Sequence, residues 1–219
     1  MSNSPARPVK VDIWSDIACP WCFIGKRRFE SALEQWDGEV EVEFHSFELA
    51  PDTPVDFEGS EVDFLAHHKG MDPAQVEQML SQMTTMAAQE GLSYDFDALQ
   101  HTKTLLAHQA LHFAKAHGLQ SELKERLLSA YFEQGRHLGR VDELVTLGAE
   151  IGLDADELRA ALESEQFAQD VQADIAQARA YGINGVPFFV FDGRLGVSGA
   201  QAPDTFLEVL DRVVTEASA

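Results

Sequence analysis

Cysteine is scarce: two in 219 residues are too few for a disulfide-stapled scaffold and too few for a four-thiolate metal centre. Positive charge is scarce too. Sixteen Lys and Arg stand against 37 Asp and Glu, a formal net charge of −21. A surface of that sign repels phosphate backbones and anionic lipid, so neither nucleic acid nor membrane is expected as a partner. The acidity reads as a solvated surface. No apolar run is long enough to cross a bilayer, and no heptad run or low-complexity stretch is present. The leading residues, Met1 to Pro8, are polar and are followed by no secretion-type apolar segment, so a cytoplasmic location is expected.

What is present is concentrated at one place. Both cysteines lie in Cys19-Pro20-Trp21-Cys22, where a strand-like run (Val9, Val11, Ile13) gives way to a helix-like one (Phe23 to Trp36). At a helix start, unpaired N–H groups and the positive end of the dipole favour a thiolate. A second thiol two residues on can attack the first once that one is bound to a partner. Three plainer readings compete. A structural disulfide closing so short a loop constrains the unfolded chain by only about 2 kcal/mol. Structural zinc wants four ligands, commonly two such pairs. Inert core cysteines sit poorly with Pro20 and Trp21 between them. Redox chemistry is the preferred reading, and cytosolic disulfides are in any case mostly transient.

Residues 8–15 alternate apolar and polar as a strand, and Pro20 suits the first turn of the helix that follows. Asp37-Gly38 marks a turn, and Val40, Val42 and Phe44 a second strand, so the chain opens β-α-β. Residues 51–60 read as a loop. From Glu61 to about Tyr181 the pattern is helical, with starts at Asp72-Pro73 and Asp154 and stops at Gly91, Gly118, Gly152 and Gly182. Strand signal returns at 186–191. Asp192-Gly193 is a hairpin turn, and Pro203-Asp204 opens a last amphipathic helix, so the chain closes β-β-α.

A CxxC after the first strand of β-α-β, with β-β-α at the end, resembles the thioredoxin fold, and the helical block between the halves resembles the insertion of DsbA-like oxidoreductases. The stretches Asp16 to Lys26, Phe47-Glu48-Leu49, Ala107-His108 with Leu111 to Ala114, Gly182 to Phe191, and Val197 to Gln201 are similar to the FrnE-like branch of that family. The implied fold class is α/β, thioredoxin-like, with a large all-helical insertion. Residues 1–58 would form the N-terminal half, 59–165 the insertion and 166–219 the C-terminal half. Some members of the branch carry further cysteines near the C-terminus; this chain has none there.

The resemblance implies a thiol–disulfide oxidoreductase in which Cys19 is the exposed nucleophile and Cys22 the more buried resolving thiol. Pro20 and Trp21 tune the redox couple. Val186 and Pro187 bind substrate, Pro187 being the cis-proline of the family. Independently of it, a strand starting at Val186-Pro187 leaves backbone groups free for an extended peptide. Related periplasmic oxidants have His where this chain has Trp21, so a less oxidising couple is expected. Lys26, Arg27 and Arg28 could favour the thiolate but read rather as a solvated helix face that balances Asp16 and Glu30, and Asp16, if near Cys19, opposes its ionisation. His108 and His112 are spaced i,i+4, but Gln109 stands where a zinc-site glutamate would be, so no metal is assigned. His108 is kept as a candidate proton relay.

No cofactor is required, with glutathione as a candidate co-substrate. Partners are protein or small-thiol substrates and a reducing or oxidising thiol. In a reducing cytosol, reductase or isomerase work is favoured over net oxidation. A glutathione-dependent isomerase or transferase on the same fold is the alternative, as is a binding module or chaperone built on the helical insert.

Overall fold

The computed structural model describes residues 7–217; most of the polar lead Met1 to Pro8, and residues 218–219, lie outside the described residues. The chain order is β1 (Val9–Ser15), α1 (Pro20–Leu33), β2 (Val40–Ser46), α2 (Glu61–Lys69), α3 (Pro73–Gln89), α4 (Leu105–Ala116), α5 (Gln120–Phe132), α6 (Val141–Glu150), α7 (Ala155–Glu163), α8 (Ala168–Ala180), β3 (Phe188–Phe191), β4 (Leu195–Ser198) and α9 (Pro203–Ala217). The fold is thioredoxin-like with a helical insertion. The four strands run β2-β1-β3-β4 across the sheet. β1 and β2 are parallel, and the other two pairings antiparallel.

Alternation along β1 builds the layers. Val9, Val11 and Ile13 face one way, into a core with Phe29 of α1, Phe189 and Phe191 of β3, and Phe206, Leu210 and Val213 of α9. Trp14 faces the other way, packing with Ala178 of α8 and Val190 of β3. Its indole N–H donates to the Asp174 carbonyl at 3.0 Å. The hairpin between β3 and β4 uses Asp192 and Gly193 at φ +50° and +66°, the left-handed pair of a turn whose twist matches its strands.

Helix α1 is the wall shared by sheet and insertion. Phe29 and Ala32 belong to the sheet core, and Phe23 and Ile24 to a larger core made with α3 to α7. Lys26, Arg27 and Arg28 are not a solvated face. Lys26 is buried and donates to Glu30 and to Glu125 of α5; Arg27 grips the same Glu125. Arg28 donates to Glu90 at 2.6 Å and to the Ala200 carbonyl at 2.7 Å. The insertion packs along this side of α1, so its cations pair with Glu125 and Glu90 brought in from there as well as with Glu30 of the same helix.

Candidate active site

Cys19 occupies the N-cap of α1 in extended conformation, and Pro20 fills the first helical position, where no N–H is needed. The Cys22 N–H donates to the Cys19 carbonyl at 2.9 Å, closing the turn that brings the two side chains together. Both cysteines are free thiols, and each is 3 % exposed. The expected contrast, an exposed Cys19 and a more buried Cys22, is therefore absent: Tyr94 and the loop before β3 close over the helix start. The Tyr94 hydroxyl donates to the Pro20 carbonyl at 2.6 Å. Access still differs. Cys19, Pro20 and the 37 %-exposed Trp21 line a cavity of about 450 Å³, and Cys22 does not.

The loop before β3 faces Cys19. The Cys19 thiol donates to the Val186 carbonyl at 3.4 Å, and the Val186–Pro187 peptide bond is cis. The Pro187 carbonyl accepts from the Gly199 N–H at 2.8 Å. Gly25 lets α1 pass this close: a Cβ there would lie 2.9 Å from Pro187 Cγ.

The charges around the sulfurs are buried. Asp16 accepts from the Leu49 N–H (2.8 Å), His108 Nε2 (3.2 Å) and the Ala18 N–H (3.4 Å). Burial opposes its charge, but these donors, His108 foremost, hold its carboxyl below the ordinary range. The hydrogen bond with the Cys22 sulfur, then burial and the nearby anions, push the Cys19 thiol up. Helix-start N–H groups do favour its thiolate, through the Cys22 N–H, but they are outweighed. Burial also opposes a charge on Cys22, yet the Cys19 S–H and the Lys124 ammonium bring that thiol below its ordinary value. The surroundings thus oppose a charge on the outer sulfur and favour one on the inner sulfur.

Lys124 of α5 was not singled out in the sequence. It is 1 % exposed; its Nζ has no hydrogen-bond partner among the described residues and sits 5.7 Å from the Phe44 ring centroid. Burial lowers its pKa to about 8. The signal was a lysine on the apolar stripe Leu123, Leu127, Leu128 and Tyr131.

His108 is fully buried and reaches Asp16 rather than the cavity. His112 turns to Ser46 (3.2 Å) and Asp174 (3.0 Å), so the i,i+4 pair diverges onto different partners. Asp12, Glu43 and His45 converge at metal-ligand spacing, but Lys10 Nζ sits 3.0 Å from each of the two carboxylates.

The family model for the DSBA-like thioredoxin domain matches residues 10–211. The uncharacterized protein YwbO of Bacillus subtilis (strain 168) is 33% identical over 202 residues, 90% of this chain and 94% of YwbO. The crystal structure of the probable DsbA oxidoreductase SCO1869 from Streptomyces coelicolor superposes with a TM-score of 0.88 at 38% identity, covering 93% of this chain and 89% of that one. The cytosolic disulfide reductase DsbM from Pseudomonas aeruginosa, solved with GSH, has a TM-score of 0.67 at 19% identity, covering 94% of this chain and 99% of that one.

Proposed function

From the premise that the chain belongs to the DsbA-like thioredoxin-domain family of thiol–disulfide oxidoreductases and isomerases, we propose that Cys19 and Cys22 are its exchanging pair, with Cys19 the entry sulfur. The observation that carries this reading is the asymmetry of access: Cys19 borders the cavity and Cys22 stands behind it. The charge on the inner sulfur fits the roles. Transfer of the Cys19 proton to Cys22 makes the outer sulfur the nucleophile as substrate arrives. It attacks one sulfur of the substrate disulfide, that S–S bond breaks, and the departing thiolate takes a proton. Cys22, having passed its proton to that thiolate and with Lys124 beside it to hold its charge, then attacks Cys19; the S–S bond from Cys19 to the substrate breaks, and the second thiolate leaves and takes a proton from water. Two electrons pass from the protein dithiol to the substrate, and the reverse sequence oxidises a dithiol client.

Pro20 and Trp21 set the poise of the couple in this proposal. Val186 and Pro187 hold the client strand, and His108 acts through Asp16 rather than on a sulfur. The setting is the cytoplasm, the direction reductase or isomerase, and glutathione a co-substrate. A similar fold solved with GSH in a cytosolic disulfide reductase supports those three points. Retention of both cysteines favours dithiol exchange over a glutathione-dependent isomerase or transferase. Equilibration with graded glutathione buffers, read by quantifying free thiols, tests the proposal. A reversible two-electron transition is expected, at a potential well below the strong-oxidant value of about −120 mV. A potential near that value would refute the direction, and no reversible transition would refute the exchange itself.

A further inference from the structure

The cavity beside Cys19 is recessed between the active-site turn and the helices α2 and α3. At about 450 Å³ it lies within the size of small-ligand pockets, roughly 300–1,000 Å³. Its carbon surface comes from Phe64 and Leu65 on α2 and from Met79, Leu80 and Met83 on α3, while His68 and Lys69 of α2 put a ring and an ammonium at the same cavity. Two methionines one turn apart give a wall that adapts to irregular apolar shapes.

A buried polar pair also faces the cavity, separate from His68 and Lys69. His101 Nδ1 lies 2.8 Å from Glu61 Oε2, and its ring stacks on Phe64 with centroids 3.4 Å apart. Both side chains are buried and both line the cavity. In the neutral ring the carboxylate favours the tautomer with the proton on Nδ1, which leaves Nε2 as the acceptor, and the stacking orients the ring. Nε2 then presents a lone pair and has no hydrogen-bond partner among the described residues. The exchange chemistry at Cys19 needs neither residue.

We propose that this cavity binds a low-molecular-weight disulfide with an apolar organic body and a hydrogen-bond donor, a hydroxyl or amide N–H, that reaches His101. The inference deepens the exchange reading above and rests on it. The protein dithiol becomes a disulfide and the bound disulfide becomes two thiol molecules, whose two protons come from the Cys19 thiol and from solvent water. Glutathione disulfide could set a carboxylate against Lys69 but offers no apolar body to Met79, Leu80 and Met83, so it should enter this cavity less well than an aryl disulfide.

The test is single-turnover oxidation of the pre-reduced full chain by four symmetric disulfides: hydroxyethyl disulfide, glutathione disulfide, phenylethyl disulfide and its para-hydroxy derivative. The para-hydroxy probe should react at least about tenfold faster than hydroxyethyl disulfide, the scale of a fitted apolar group. Its rate should saturate with concentration, and it should outpace glutathione disulfide. Met79→Trp, or Leu65→Trp if that variant misfolds, should bring the ratio of para-hydroxy to hydroxyethyl rates towards unity. A ratio within one protein cancels any change in the thiols themselves. His101→Phe should erase the preference for the hydroxylated probe over the plain phenylethyl one. Equal rates for all four probes, faster glutathione disulfide, or ratios unmoved in the variants would overturn the cavity proposal while leaving exchange intact. Failure of the parent protein to react even with hydroxyethyl disulfide would overturn both.

Discussion

Lys124 puts an ammonium where water does not reach, and that has a stability cost as well as a use. A base whose folded pKa lies near 8, against 10.5 when free, destabilises the fold below about pH 8, and the penalty disappears above 10.5. Lys124→Met should therefore stabilise the protein at pH 7 by a few kcal/mol, on the order of the shift itself. The same variant should move the appearance of ultraviolet thiolate absorbance upward by about one pH unit or more. Greater stability with an unmoved thiolate titration would separate Lys124 from the chemistry. His45 shows the opposite sign. Burial lowers its pKa, but Asp12 at 2.9 Å and Asp174 at 2.8 Å prevail and raise it from 6.5 to about 9. Asp174 is correspondingly held below its ordinary 3.8. The network stabilises most between about pH 4 and 6.5; it is lost upward through 9 as His45 deprotonates, and downward below 3.8 as Asp174 protonates. His45→Gln should flatten the fall of melting temperature between pH 6.5 and 9, and an unchanged slope would contradict this.

Helix α1 joins three parts of the molecule, and its faces show what a sequence does and does not disclose. Pro20, the cysteine spacing and the turn at Asp37-Gly38 placed the helix and its start at Cys19-Pro20, because these are local signals. The alternation of Val9, Val11 and Ile13 placed β1 in the same way. Lys26, Arg27 and Arg28 were misread because their partners Glu125 and Glu90 are distant in sequence, and one basic trio looks alike on an exposed or a bridged helix. His101 carries no local signal at all: it lies between helices and its partner is 40 residues away. Gly25 lies at the closest approach of α1 to Pro187. Gly25→Ala should destabilise the protein by about 1–3 kcal/mol in denaturant unfolding, the usual cost of overpacking. A change under about 0.5 kcal/mol, the surface-substitution scale, would show that the helix can move away.

At the scale of the whole chain, the thioredoxin-like sheet supplies a rigid floor, α1 carries the thiols along its edge, and the insertion supplies what surrounds them. Lys124, Tyr94 and the α2–α3 wall all come from that insertion. The place of the cysteine pair at the start of α1 was legible because both cysteines lie in one local stretch; the burial of both sulfurs was not, since it depends on elements distant in sequence folding back over the helix start. The central claim is that Cys19 is the sulfur through which partners enter. Its most direct measurement is mass-spectrometric mapping of adducts formed by Cys22→Ala and Cys19→Ala variants with a small disulfide and with a disulfide-bonded protein. The account predicts stable mixed disulfides at position 19 in Cys22→Ala and few in Cys19→Ala; adducts accumulating at Cys22 in preference to Cys19 would contradict it.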